Sequence, residues 1–139
     1  MKSKFDLVFL IDDDIDDLFI HTRRINKFNF AERLFTFTNA EEALGHLKKA
    51  DSNTELSLPE IIFLDINMPR MNAWRFLEEF DKLTEKAKNA ISIFILTSSS
   101  DISDENRAYY NKNVKSFYSK PITNEMLYNI RHYVLSDIF

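Results

Sequence analysis

Five short apolar runs punctuate the chain, at residues 5–11, 33–38, 60–65, 90–97 and 115–118. Three of them carry the segments LVFLI, IIFL and ISIFIL, apolar at almost every position. Strands covered on both faces read this way, whereas half-exposed strands alternate. Between the runs the period lengthens to that of a helix. Ile15, Leu18, Phe19, Ile25 and Phe28 mark one apolar face, with Asp16, His21, Arg23 and Arg24 expected outside it. Asn39 followed by Glu42 reads as a capped helix start that turns Ala43, Leu44 and Leu47 inward. Trp74, Leu77, Phe80 and Leu83 mark a third helix, and residues 101–112 a more polar fourth. Thr123 is placed to cap a fifth, with Met126, Leu127, Ile130 and Val134 on its inner face. Strand-helix alternation repeated five times predicts an α/β fold, a parallel sheet with helices on both faces and right-handed crossovers. The longest polar connection, residues 48–59 (KKADSNTELSLP), is expected as a surface loop.

Composition narrows the function classes. At 139 residues the chain has enough length for one domain with a real core and too little for two ordinary ones. A formal net charge of −4 gives no electrostatic steering toward nucleic acid or an acidic membrane. Cysteine is absent, which excludes disulfides and thiol catalysis and fits a reducing compartment. No signal peptide and no apolar stretch of membrane-spanning length is visible, so a cytoplasmic location is expected. Gly45 is the only glycine, which excludes glycine-rich nucleotide loops. His21, His46 and His132 fall on predicted helices away from the strand ends and are expected at the surface.

The chemistry gathers where the buried runs end. The first is followed by Asp12-Asp13-Asp14, the third ends in Asp65, the fourth in Thr97, and the fifth leads to Lys120-Pro121. Ligands bind at the carboxyl ends of strands in open parallel sheets, so these residues are expected in one pocket. Clustered carboxylates require a cation, a proton or Lys120 nearby. Hard oxygen ligands with room for water suit Mg²⁺, and one carboxylate can serve as a nucleophile toward phosphorus. Acids after the first strand also favour the positive end of a helix, whatever else they do.

With LVFLIDDD, IIFLDINMP, ISIFILTSS and SFYSKPI in this order, the sequence resembles the receiver domains of two-component response regulators along nearly its whole length. The resemblance implies a doubly wound, flavodoxin-like sheet of five parallel strands in the order 2-1-3-4-5, and a single receiver domain over residues 1–139 with no output domain. It implies Asp65 as phosphoacceptor, Asp12 and Asp13 as Mg²⁺ ligands with Asp65 and the Asn67 carbonyl, and Thr97 as the switch hydroxyl. Lys120 would pair with Asp65 or the phosphoryl group, Pro121 would follow a cis bond, and Phe117 would be the switch aromatic. Asn67 and Ser99 would flank the path of hydrolytic water. The implied partners are a histidine kinase or histidine phosphotransfer protein, and a downstream protein docking on the face of the fourth helix, fifth strand and fifth helix, where Tyr109, Tyr110, Phe117, Tyr118 and Tyr128 lie. Neither nucleic acid nor membrane is implied. The protein would be a signalling phosphoacceptor and not an enzyme, with slow autodephosphorylation at most.

Two positions depart from the family pattern. Ala73 and Ser116 stand where glycine is usual. If the turn needs a left-handed residue, Ala73 would be strained, and Asn72 is the expected substitute. Aspartate-based phosphatases of the haloacid-dehalogenase type are the alternative enzyme class. They carry their nucleophile in a D-x-D motif after the first strand, whereas here the isolated buried Asp follows the third.

Overall fold

The computed structural model describes residues 2–53, 55–66, 68–98 and 102–136. In chain order the elements are β1 (Phe5–Ile11), α1 (Ile15–Lys27), β2 (Ala31–Phe37), α2 (Ala40–Ser52), β3 (Ile61–Asp65), α3 (Ala73–Phe80), α4 (Glu85–Ala90), β4 (Ser92–Thr97), α5 (Ile102–Tyr109), β5 (Val114–Ser119) and α6 (Asn124–Ser136). The strands form one sheet in the order β2-β1-β3-β4-β5, and each of the four pairings is parallel.

Parity along the continuously apolar strands decides which side each residue covers. Leu7, Phe9, Ile11, Ile62, Leu64, Ile93 and Ile95 join the core under α2, α3, α4 and α5. Val8, Leu10, Ile61, Phe63, Phe94 and Leu96 join the opposite core, under α1 and α6. The central strands are therefore buried on both faces, as their unbroken hydrophobicity requires. β5 breaks the alternation. Its ladder with β4 pairs Ile93 with Val114 but Phe94 with Ser116, so Lys115 is an extra residue. This bulge swaps the parity. Val114 and Phe117, three residues apart, pack on the same core, and Tyr118 packs on the other.

Capping fixes the helix starts. Asp14 accepts from the N–H groups of Asp16 and Asp17 at the head of α1. Asn39 accepts from Glu42 N–H, Asn72 from Arg75 N–H and Thr123 from Met126 N–H. Residue Asn29, at φ 56, ends α1 in the left-handed conformation usually taken by glycine.

Several expectations are corrected. The polar segment 48–59 is not all loop, because α2 runs on to Ser52. The third predicted helix stops at Phe80, and a short α4 follows, capped by the Thr84 side chain on Ala87 N–H. Asp51 of α2 clamps this cap, accepting from Thr84 Oγ1 at 2.6 Å and from its N–H at 3.0 Å. Neither Ala73 nor Asn72 is left-handed. Asn72 is an extended N-cap at φ −80 and Ala73 is the first, fully buried residue of α3. The left-handed residue of this turn is Arg70, at φ 63. On α1 the buried stripe is Leu18, His21 and Ile25, spaced i, i+3 and i+7. Ile15 and Phe19 fall off that stripe and are 71% and 62% exposed.

Phe63 sits in the α1/α6 core, its ring 5.9 Å from Phe30 and 6.2 Å from Phe94. Truncation of Phe63 to Ala is expected to cost about 3–5 kcal/mol of unfolding free energy, from lost burial and the cavity left behind. Urea denaturation followed by far-UV circular dichroism checks this, and a loss below ~1 kcal/mol would contradict the packing described.

Candidate functional site

Strand register brings the distant acids together. Ile11 pairs with Leu64, Asp65 with Leu96, and Thr97 with Ser119. Three further backbone bonds extend the ladder past the strand ends: Asp12 N–H to Phe37 O at 3.0 Å, Ile66 N–H to Leu96 O at 3.1 Å, and Lys120 N–H to Thr97 O at 2.8 Å. Asp12, Asp65, Thr97 and Lys120 thus emerge at one edge of the sheet, with Asp13 beside them. Asp12, Asp65 and Thr97 are buried, while Asp13 is exposed.

The electrostatics are crowded. Asp12, Asp13 and Asp65 each offer a carboxylate oxygen, and these oxygens lie within 4.8 Å of one another. At an effective dielectric near 20, charges at that spacing repel by about 3 kcal/mol per pair. Lys120 relieves part of this. Its Nζ donates to Asp12 Oδ2 at 2.8 Å and to Asp17 Oδ2 at 2.8 Å, and lies 3.1 Å from Asp65 Oδ1. Asp12 Oδ1 also accepts the Asp14 N–H. Burial pushes the Asp65 carboxyl up, Asp12 adds to the push, and Lys120 opposes it; the carboxyl ends at about 6. Burial pulls the Lys120 ammonium down, but its bonds to Asp12 and Asp17 and the charge of Asp65 outweigh this and hold it above the ordinary lysine range.

Among the described residues one ammonium stands with four carboxylates, those of Asp12, Asp13, Asp17 and Asp65, so the site is short of positive charge. Three hard oxygen donors converging within 4.8 Å, one of them on a solvent-exposed residue, suit a small divalent cation that keeps some of its water. Mg²⁺ fits this donor set.

Among the other expected site residues, Asn67 and Ser99 lie outside the described residues. The Lys120–Pro121 peptide is cis. Phe117 is half-buried on β5 against the α2–α5 core. Two residues near the site escaped the sequence reading. Asp17, in the first turn of α1, reaches Lys120. His21, one helical turn further on, is not at the surface but 1% exposed. Burial lowers its basicity, the charges of Asp17, Lys120 and Asp12 act on it in opposing directions, and its Nδ1 has no hydrogen-bond partner among the described residues. The spacing of four between Asp17 and His21 was the available signal, since it sets both on one helical face. His46 is also no surface residue; it is half-buried among the rings of Phe9, Phe35 and Phe37. Only His132 of the three is exposed, stacked on Tyr128.

Known proteins share this arrangement of strands. No curated protein sequence matches the chain. Among solved structures, a two-component response regulator from Cytophaga hutchinsonii is 32% identical, over 96% of this chain and 98% of that one, with a TM-score of 0.87. A response regulator receiver protein from Dyadobacter fermentans is 27% identical, over 93% and 97%, with a TM-score of 0.82. A chemotaxis response regulator of Vibrio cholerae shares the fold at 19% identity, over 94% and 99%, with a TM-score of 0.71. The family model of the response regulator receiver domain matches residues 8–131. With that match spanning both cores and every strand end of the acidic site, the chain belongs to the response regulator receiver family of two-component signalling.

Proposed function

We propose that this receiver takes a phosphoryl group onto Asp65 from a histidine kinase or a histidine phosphotransfer protein, in a Mg²⁺-dependent step, and that the change alters its docking to a downstream protein. The observation that carries the reading is the pairing of a buried carboxylate, Asp65, with one ammonium at 3.1 Å and two further carboxylates whose oxygens lie within 4.8 Å. A purely structural ion pair has no need of the surplus acids.

Asp12, Asp13 and Asp65 would hold Mg²⁺, with the Asn67 carbonyl as a further ligand. When bound, the ion neutralises charge on the phosphoryl oxygens. Ionised Asp65 attacks phosphorus through one oxygen, a new O–P bond forms, and the P–N bond to the donor imidazole breaks. The electron pair of that bond leaves with the imidazole nitrogen. No general base is required, because the nucleophile carries no proton above its pKa of about 6. Lys120 and the Thr97 hydroxyl then donate to phosphoryl oxygens. Movement of Thr97 toward the phosphoryl group would leave space under β5, and Phe117 would respond through ring packing, having no phenolic hydroxyl to pair. Hydrolysis reverses the modification when water attacks the same phosphorus.

Two surfaces suit the partners. On α1, exposed Phe19 and Ile20 with Arg23, Arg24 and Lys27 wall a groove whose far side is Pro121, Ile122 and Thr123. A phosphodonor seated there lies beside Lys120 and its reactive neighbour Asp65. At the β5 edge, Tyr109 at the end of α5, Tyr110 just after it and Tyr128 on α6 stand exposed. Aromatic residues of this kind form interface cores, and this face is the proposed output surface. No helix among the described residues is long and apolar enough to cross a membrane.

Incubation with acetyl phosphate and Mg²⁺ is expected to add one phosphate, seen by intact mass. Asp65→Asn and chelation of the cation should each abolish the addition. Unchanged labelling of Asp65→Asn would refute the assignment of the nucleophile.

A pH dependence follows from the same residue. Its folded value of about 6 lies above the ordinary 3.8, so the folded state binds the proton more tightly than the unfolded chain does. That contribution is fully present below about 3.8 and is lost as pH rises through about 6. Above pH 7 the ionised carboxylate should destabilise the metal-free fold by on the order of 2–3 kcal/mol. Asp65→Asn is therefore expected to melt higher than the wild type at pH 8, with the gap closing toward pH 4 and shrinking when Mg²⁺ is added at pH 8. Melting curves across pH check this; a gap independent of pH and of Mg²⁺ would contradict it.

A further inference from the structure

We infer that Asp17 is a positioning residue for Lys120: it gives the ammonium a carboxylate to rest on when a divalent cation draws the oxygens of Asp12 and Asp65. The inference deepens the receiver reading above and rests on it.

Three observations carry it. Lys120 Nζ is shared among three carboxylates, and its contact with Asp17, at 2.8 Å, is as short as that with Asp12 and shorter than the 3.1 Å to Asp65. Asp17 does not belong to the group of carboxylates whose oxygens converge within 4.8 Å; that group is Asp12, Asp13 and Asp65. Asp17 therefore serves the lysine and not the cation position. Its placement is also fixed by the local fold, since Asp14 caps α1 on the N–H groups of Asp16 and Asp17 and so sets the first turn against the site.

The physical need is plain. A cation on Asp12, Asp13 and Asp65 repels the ammonium that occupies two of the same carboxylates. Lys120 is mostly buried, its side chain 12% exposed, so it has little water to retreat into. Without Asp17, the ammonium either competes with the cation for Asp12 and Asp65 or loses a counter-charge in a poorly hydrated place. Asp17, more open to solvent at 32% side-chain exposure, lies on the outer side of the pair and lets lysine and cation coexist. The acyl phosphate then finds a lysine already in reach and not displaced from the site.

The test is a double-mutant cycle on Mg²⁺ affinity, measured by calorimetry with the metal alone on unphosphorylated protein. Asp17→Asn is expected to weaken Mg²⁺ binding about fivefold in the wild-type background and less than about twofold in the Lys120→Met background, since coupled neighbours are non-additive. Asp17→Glu, which keeps the charge, should stay within about twofold of wild type. Equal losses in both backgrounds would overturn the inference, because Asp17 would then act only as one more negative charge near the metal. No loss in either background would overturn it as well. Acetyl phosphate labelling of the wild type separates the two readings: wild-type protein that binds Mg²⁺ and labels while the cycle is additive sinks the role of Asp17 alone. Wild-type protein that neither binds Mg²⁺ nor labels sinks the receiver reading and this inference with it.

Discussion

The Lys120 ammonium is the interaction on which the rest of the site depends. It holds three carboxylates that would otherwise repel across a buried sheet edge. Its backbone is bonded to Thr97 of β4 and its side chain reaches Asp65 of β3, Asp17 of α1 and Asp12 just past β1, so it ties these segments at one point. Breaking a buried pair by removing one partner is strongly destabilising, because the other charge remains without compensation. Lys120 leaves an excess of acid uncompensated here, and the three converging carboxylates are a donor set that suits a cation.

Much of this was legible in the chain. Continuous apolar runs identified β1, β3 and β4 as strands covered on both faces, and the polar residues at their ends are the ones that the register brings to one edge. The reason is physical: strand ends in a parallel sheet are level only if register is kept, and register is held by which residues face which core. The caps at Asn39 and Thr123 were equally readable, because side-chain capping is a local matter of a few residues. What was hidden depends on contacts between segments. The clamp of Asp51 on Thr84, which starts α4, joins residues 33 positions apart. His21 reads as polar and so as outward, but the inward stripe of α1 runs through it, and the apolar Ile15 and Phe19 lie beside that stripe. The pairing of Asp17 with Lys120 spans 103 positions and leaves no trace in either local pattern.

Outside α2 the chain has no glycine. Asn29 and Arg70 take the left-handed conformation in place of it. Such a conformation costs a side-chain-bearing residue roughly 1–2 kcal/mol, and at Arg70 the compensation from an exposed pair with Glu41, 3.3 Å away, is small. The fully buried Ala73 packs against the α2–α5 core where a turn glycine was expected, so the segment after β3 is anchored by burial as well as by its cap. Trp74 follows it and stacks under the Arg107 guanidinium at 4.6 Å, tying α3 to α5.

The bulge in β5 separates the count of residues before it from the register of the site. With Lys115 as a supernumerary residue, Thr97 sits opposite Ser119 and Lys120 follows in reach of the acids. Were Lys115 instead paired within a regular ladder, Thr97 would stand opposite Tyr118, Lys120 would lie one residue too far along, by about 3.3 Å, and Phe117 and Tyr118 would exchange sides of the sheet. Deletion of Lys115 would close the bulge and leave each later pair of the ladder in place, from Phe94 with Ser116 to Thr97 with Ser119. A one-residue change of length at the start of β5 is therefore taken up by the bulge itself, and the placement of Lys120 depends on the pairing from Ser116 onward and not on the count of residues before it.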